Sequence, residues 1–311
     1  MSIDYPFSPF YVSMQLMQKI IVVCGPTATG KTSLAIQIAQ QHRGEVISAD
    51  SREVYTRLDI GSAKVTTQEM QNIPHHLINV ANPHEIFSVA DFQKLAKQVI
   101  SEIHSRGNIP IICGGTGMYI DATIFETDFP SVPPNPELRL ELEQKTTPEL
   151  FEQLQRLDQD RAENIDSQNR SRIIRALEIA ITLGQVPKTI HKESNYQVLW
   201  IGLTLPKDQL QENIIKRINN RIPALFDEIK NLHASGVSFE RLYSFGLEYR
   251  YGAEYVQGKI SLDAFKEILT NKTWQFAKRQ MTWFKRNPEI HWCNPVSDKQ
   301  KILQLVKEFL V

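Results

Sequence analysis

Little in this sequence points beyond an ordinary soluble fold. No run of apolar residues approaches the roughly 20 needed to span a bilayer, so no membrane-spanning helix is expected. Net charge is absent too, with Lys+Arg and Asp+Glu at 35 each. No global field therefore attracts nucleic acid, and any such surface must arise by local segregation of charge. Cysteine is scarce. Cys24, Cys113 and Cys293 are far apart, odd in number and never in a CxxC pair, which argues against a disulfide framework and a zinc site. Cys24 and Cys113 each end an apolar run and read as buried thiols of a reducing, cytoplasmic compartment. The first 17 residues lack both a basic and an apolar segment, so no signal peptide is read there. Residues 1–18 are expected to be a loosely docked N-terminal arm, with Met14 and Met17 as alternative starts. No internal repeat or low-complexity tract occurs.

What is present is a globular composition, 41% hydrophobic and 23% charged over 311 residues. That suits one large domain or two modest ones. The run 19–24 (KIIVVC) predicts a buried strand, 31–42 an amphipathic helix, and 45–49 (EVISA) a second strand. Ser88, with Asp91 three residues later, predicts the start of a helix over 89–104. Residues 109–113 (IPIIC) read as a third strand. Strands alternating with helices predict an α/β fold with a parallel sheet. Four prolines within 128–136 then mark a boundary. The charged helical block over 137–181 predicts an inserted all-helical subdomain at 128–195. Residues 197–205 predict a return to the sheet, and 290–293 a last short strand. The core is thus 19–127 plus 196–311, ending in a helical C-terminal region.

Residues 25–32 read GPTATGKT and match GxxxxGK[ST] between a predicted strand and a predicted helix. In this pattern Gly25 and Gly30 free the backbone to turn its N–H groups inward, and Pro26, Thr27, Ala28 and Thr29 form the arc between them. The helix N-terminus adds unpaired amides. Lys31 supplies a point charge for the outer phosphate, and the Thr32 hydroxyl can ligate Mg²⁺. The motif specifies a polyphosphate, ATP or a diphosphate, without saying which.

Strand C-termini share one edge of a parallel sheet, and ligands bind there. Asp50 reaches that edge after EVISA, where it can hold Mg²⁺, serve as a general base or cap a turn. Thr116 follows Gly114–Gly115, placed either to approach a ligand or to cap a helix. His75 and His76 point apart in an extended loop, which favours structural roles over a shared metal. Lys272, Lys278, Arg279, Lys285 and Arg286 interleave with Trp274, Phe276, Trp283 and Phe284. That mix suits either a nucleic-acid groove or an amphipathic helix with a basic face. Arg172 and Arg175 share a helical face near Arg170. Arg217 and Arg221, four residues apart, can clamp a diphosphate or pair with Glu212 or Asp227.

Taken in order, GPTATGKT, ISADSREVYTRLDIGSAK, PHHLINV, CGGTGMYIDA, RSRIIRALEI and AKRQMTWFKR closely resemble the tRNA dimethylallyltransferase family, over about 19–293. The resemblance implies Mg²⁺-dependent transfer of dimethylallyl from its diphosphate to N6 of the adenosine 3′ of the tRNA anticodon. It implies that Gly25 to Thr32 hold the diphosphate, that Asp50 is the base and that Thr116 lies beside the reacting centre. It further implies contact with the anticodon stem-loop by Asp50, Ser51, Arg52, Glu53, Arg139, Ser171, Arg172, Arg175, Gly246, Tyr249 and Arg250. Lys278 and Arg279 join that set as cations of the basic segment. Two positions depart from the family pattern. Glu248 stands where a glycine is usual, and Arg52 where a smaller or uncharged side chain is common. Both are expected to alter contact with tRNA. The expected working unit is a monomer without membrane attachment. Rival readings are a nucleoside or small-molecule kinase, an isopentenyltransferase of free adenine nucleotides, and a P-loop protein that only binds.

Overall fold

The computed structural model describes residues 17–125, 127–188 and 194–311. Gln18 of the expected arm at 1–18 belongs to a strand, while residues 1–16, with Met1 and Met14, lie outside the described residues. So do Glu126 and 189–193 at the edges of the insertion. Two compact units divide the chain: Met1–Phe125 with Ser194–Val311, and Glu126–Glu193.

The first unit opens with β1 (Gln18–Cys24), α1 (Lys31–His42), β2 (Gly44–Ser48), the short α2 (Thr67–Met70) and β3 (His75–His76). It continues with α3 (Val89–Ser105), β4 (Ile109–Gly114) and α4 (Gly117–Ile124). Ser88 and Asp91 form the expected reciprocal capping box of α3. The second unit holds α5 (Pro136–Glu143), α6 (Thr147–Leu157), α7 (Gln159–Glu163) and α8 (Arg170–Leu183). Leu142, Leu150, Leu154, Ile173 and Leu177 form its core. Gly184, in the left-handed conformation, ends α8. The chain then adds β5 (Tyr196–Leu203), α9 (Lys207–Asn219), α10 (Ile222–Ala234), α11 (Phe239–Ser244) and α12 (Leu247–Val256). The 23-residue α13 (Leu262–Phe284), β6 (His291–Cys293) and α14 (Lys299–Leu310) complete it.

The strands form one six-stranded sheet in the order β3-β2-β4-β1-β5-β6, with each adjacent pair parallel. Alternation within β1 explains the two layers. Ile20, Val22 and Cys24 face the larger core, whereas Ile21 and Val23 face the smaller one with Leu34 and Ile38 of α1 and Ile302 and Val306 of α14. Each such fully buried aliphatic side chain contributes about 1.5–3 kcal/mol. The near-continuous apolar runs read from the sequence are what a two-sided parallel sheet demands.

One strand escaped sequence reading. β3 is two residues long, and its pairing with β2 places the His75–His76 pair in the sheet. His76 Nε2 lies 2.6 Å from Glu45 Oε2. Arg106 and Asn108 also donate to Glu45, and these bonds, Arg106 first, hold its carboxyl down at about 2.

Candidate functional site

The C-terminal edge of the sheet carries a cavity of about 510 Å³. Its lining comes from the loop after β1 (Thr27, Lys31, Thr32), the segment after β2 (Asp50, Ser51, Arg52, Glu53) and the turn after β4 (Gly114–Met118). Arg217 of α9, Phe245–Glu248 at the start of α12, and Thr273, Phe276, Arg279, Gln280 and Trp283 of α13 close it. The topology that brings strand ends together thus assembles residues separated by more than 200 positions.

The loop at 25–32 is held from several sides. Gly25 has φ 132°, and a Cβ there would fall 2.5 Å from Leu203 O, so only glycine permits this approach to β5. Ala28 and Gly30 are also left-handed. Lys31 Nζ donates to Pro26 O at 2.6 Å and Thr29 Oγ1 to the same oxygen at 2.8 Å. Burial pushes the Lys31 ammonium below its ordinary value, which raises its appetite for a compensating anion. Thr27 donates its backbone N–H to Gln280 Oε1 at 2.9 Å, and Gln280 Nε2 donates to Gly115 O at 3.0 Å. One amide therefore straps the loop to the β4 turn. Arg217 Nη1 donates to Thr27 Oγ1 at 2.8 Å, while Asp227 lies 3.7 Å from Lys230. Of the alternatives open for Arg217, the structure realises a contact with the loop. Asn213 Nδ2 donates to Ala28 O at 3.2 Å.

Asp50 both caps a turn and lines the cavity. Its Oδ1 accepts from Arg52 N at 2.8 Å, leaving acceptor capacity on the same carboxylate. Thr116 occupies the cap position of α4 without a side-chain capping bond. Its Oγ1 instead accepts from Ser51 N at 3.2 Å, which ties the segments after β2 and β4 together beside Asp50. Glu53 turns inward, accepting from Ser48 Oγ at 2.6 Å. Burial and then the neighbouring Asp50 charge push its carboxyl up to about 7, against Ser48, Lys64 and Arg217.

That rise has a consequence for stability. A carboxyl whose folded value exceeds its unfolded value favours the native state most below the unfolded value, about 4.5, and the benefit disappears as pH rises through about 7. Glu53→Gln, which cannot ionise, is therefore expected to gain in melting temperature relative to wild type between pH 5 and pH 8. Thermal melts across that range check it, and a constant difference would mean that Glu53 does not titrate there.

Several expected contact residues occupy other positions. Tyr249 is 1% exposed and its hydroxyl donates to Glu228 at 2.8 Å. It is a core residue and offers no surface to RNA, while the adjacent Arg250 is exposed. Helical phase separates the two. Glu248 lines the main cavity with Arg217 and also a small crevice holding Arg217 and Arg221. Burial raises its carboxyl, against Arg217. Its carboxyl thus shares these spaces with Arg217 and Arg221. Burial, then the Arg217 charge, lowers Arg221 to about 10. Arg52 lies against Gly246 at the cavity wall.

In the second unit, Arg139 forms a two-pronged pair with Glu178 at 2.8 Å for both contacts. Arg175 reaches Glu178 at 3.3 Å and Val132 O at 2.7 Å. Burial alone would raise Glu178, but Arg139, the Asn135 N–H and Arg175 hold it below the usual carboxylate range. Both arginines thus brace α5 and the 127–135 segment against α8. Ser171 and Arg172 remain exposed. Lys278 and Arg279 are exposed on α13, seated over the rings of Trp274 and Phe276. The helix is amphipathic, with Phe265, Leu269, Thr273, Ala277, Gln280 and Phe284 on its buried stripe. Gln280 is the residue sequence reasoning missed. A single polar amide on an apolar helical stripe is the available signal.

Cys24 and Cys113 are buried, and burial raises both thiols to about 12. That leaves them protonated and inert at neutral pH. Among the described residues, no three or more His, Cys, Asp or Glu gather to hold a metal. A magnesium ion carried mainly by phosphate oxygens and water needs only one or two protein oxygens. The Thr32 hydroxyl, a hard donor lining the cavity beside Lys31, fits that demand.

The chain matches the family model described as IPP transferase over residues 53–287. It is 39% identical to a tRNA dimethylallyltransferase of Anoxybacillus flavithermus, covering 90% of this chain and 92% of the relative. A crystal structure of the full-length tRNA isopentenylpyrophosphate transferase from Bacillus halodurans is similar, with a TM-score of 0.71 and 35% identity over 94% of this chain and 96% of that one. A eukaryotic dimethylallyltransferase, solved acting on tRNA, gives a TM-score of 0.72 and 26% identity over 91% of this chain and 75% of that one.

Proposed function

This chain belongs to the IPP transferase family, and on that footing we propose that it transfers a dimethylallyl group from dimethylallyl diphosphate to N6 of the adenosine 3′ of a tRNA anticodon. The observation that carries this reading is one cavity lined by both the 25–32 loop and Asp50 with Thr116. A diphosphate holder and a base thus face the same space.

The chemistry follows from those groups. An exocyclic adenine amine is a poor nucleophile because its lone pair is delocalised into the ring. Asp50 accepts one of its hydrogens, which orients the amine and raises its reactivity. The N6–C1 bond forms, the C1–O bond breaks and pyrophosphate leaves with the bonding pair. Lys31, the loop amides and Arg217 stabilise the charge that builds on the departing oxygen. Thr32 would hold magnesium together with the phosphates, and the ion would supply Lewis-acid neutralisation of that charge. Thr116, tied to the Ser51 amide, helps fix the segment that presents Asp50. The base must leave the loop stack to reach this cavity, at a cost of a few kcal/mol. The exposed cations Lys278 and Arg279 of α13, of which Arg279 lines the cavity, and Ser171 and Arg172 of the second unit are the groups assigned to the anticodon stem-loop.

Incubation of the protein with unmodified tRNA, Mg²⁺ and dimethylallyl diphosphate, followed by nucleoside mass spectrometry, tests the proposal. A dimethylallyl adduct on tRNA adenosine is expected. Parallel reactions with AMP and with ATP discriminate the rivals. An adduct on AMP alone would make it a nucleotide prenyltransferase, and ATP turnover without adduct a kinase.

A further inference from the structure

We propose that Glu228 is a positioning residue for the diphosphate end of the cavity, a role that rests on the functional reading above. Glu228 lies on α10 and is not among the residues lining the cavity. Its carboxylate nevertheless collects four donors. Oε2 accepts from the backbone N–H of Asp59 and of Ile60, each at 2.7 Å. Oε1 accepts from Gly61 N at 3.1 Å and from the Tyr249 hydroxyl at 2.8 Å. Three successive amides converging on one point form an anion-binding concavity. Here the chain fills it with its own carboxylate.

What those amides hold is a wall of the site. Gly61, Ser62 and Ala63 line the main cavity. A second cavity of about 400 Å³ lies alongside, lined by Gly30, Ser33, Gln37, Glu69 and Arg221 among others. The two share Lys31, Thr32, Ala63, Val65 and Arg217. The loop that Glu228 grips therefore runs into the partition where the phosphate-facing lysine and arginine lie.

The loop does not hold this shape by propensity. Ala63 has φ 63°, a left-handed conformation that a non-glycine residue keeps only when its surroundings enforce it. Gly61 has no room for a side chain, since a Cβ would fall 2.5 Å from the Tyr249 ring. Tyr249 belongs to α12, whose Leu247 and Glu248 line the same cavity. The carboxylate thus holds the loop wall through three amides, and the Tyr249 hydroxyl adds a fourth bond that the loop does not depend on. Asp59, at the other end of the loop, is secured by Lys64 at 2.6 Å, and Lys64 also donates to Tyr55 O. Glutamine at 228 is isosteric but has one acceptor oxygen and an NH₂ group, which would meet an N–H or O–H donor head-on.

The test compares wild type, Glu228→Gln and Tyr249→Phe in three measurements: separate KM values for dimethylallyl diphosphate and tRNA, calorimetric binding of magnesium pyrophosphate, and melting temperature. Glu228→Gln is expected to raise the diphosphate KM and the pyrophosphate Kd about tenfold, the scale of one lost hydrogen bond to a charged group. The tRNA KM should stay within about twofold, because the walls concerned face the phosphates. Tyr249→Phe keeps all three amide bonds and is expected to melt lower while binding pyrophosphate as wild type does. A lower melting temperature in Glu228→Gln with unchanged pyrophosphate binding would reduce Glu228 to a scaffold residue and overturn the proposal. Equal loss of pyrophosphate binding in both variants would overturn it as well. Wild type that binds pyrophosphate but prenylates no tRNA would overturn the functional reading while this role stands.

Discussion

Replacing Asp50 with alanine is expected to lower kcat at least about a hundredfold, the scale of a positioned general base, while tRNA affinity stays close to wild type. The geometry sets this expectation. Asp50 lines the same cavity as the loop, with one oxygen engaged by the Arg52 amide and acceptor capacity left over. Removing the carboxylate deletes the acceptor for the N6 proton, and it deletes little binding surface. The turn it caps is also tied through Ser51 to Thr116, so the segment has a second anchor. Asp50→Asn keeps the turn bond and the shape but cannot take a proton, so it should be nearly as slow as alanine. Single-turnover rates and filter binding on the same tRNA measure both quantities. Turnover near wild type in either variant would remove Asp50 from the mechanism, and a parallel loss of tRNA binding would make it a contact residue.

The second large effect is expected at Lys31. Lys31→Ala should reduce kcat/KM for dimethylallyl diphosphate by about a hundredfold to a thousandfold, because truncating one member of a buried charged pair costs about 2–5 kcal/mol. The tRNA KM should change little. Lys31 is pushed below its ordinary value by burial, and the direction gives a pH signature. An ammonium with a lowered value loses its proton earlier as pH rises. The diphosphate KM of wild type should therefore climb on the alkaline side, and that of Lys31→Ala should not. The bound diphosphate opposes the loss by favouring the charged form, so kcat should be less sensitive than KM. Steady-state kinetics from pH 7 to pH 10 provide the check. An unchanged KM for the diphosphate in the alanine variant would mean that the loop holds a different ligand.

These two residues were also the easiest to find, and the reason is physical. A loop that binds phosphate with its own backbone needs glycines, a lysine and a hydroxyl within eight consecutive positions, so its chemistry is written locally. Asp50 required one further step, the rule that parallel strands share their C-terminal edge. Thr116 followed by the same rule, although its hydroxyl accepts from Ser51 N instead of capping α4. The sheet itself was legible because strands buried on both faces appear as apolar runs, and β1, β2, β4 and β5 lie within a residue or two of their expected limits. The pair His75–His76 was too short to carry such a pattern, and only its pairing with β2 makes it a strand.

Residues that act across long separations were not legible in that way. Gln280 reaches Thr27 and Gly115, and Glu228 reaches 59–61. Each depends on which way a helix is turned and how closely it packs. Tyr249 and Arg250 make the same point in adjacent positions, one in the core and one in solvent. By itself the amino-acid order determined the loop, the strand pattern and the helix starts, because those depend on neighbours along the chain. The packed structure alone decided that Glu248 faces arginines, that Arg139 and Arg175 are engaged by Glu178, and that a carboxylate outside the cavity grips its wall. Such side chains find their partners through helix rotation and burial, and neither is encoded in any short stretch of sequence.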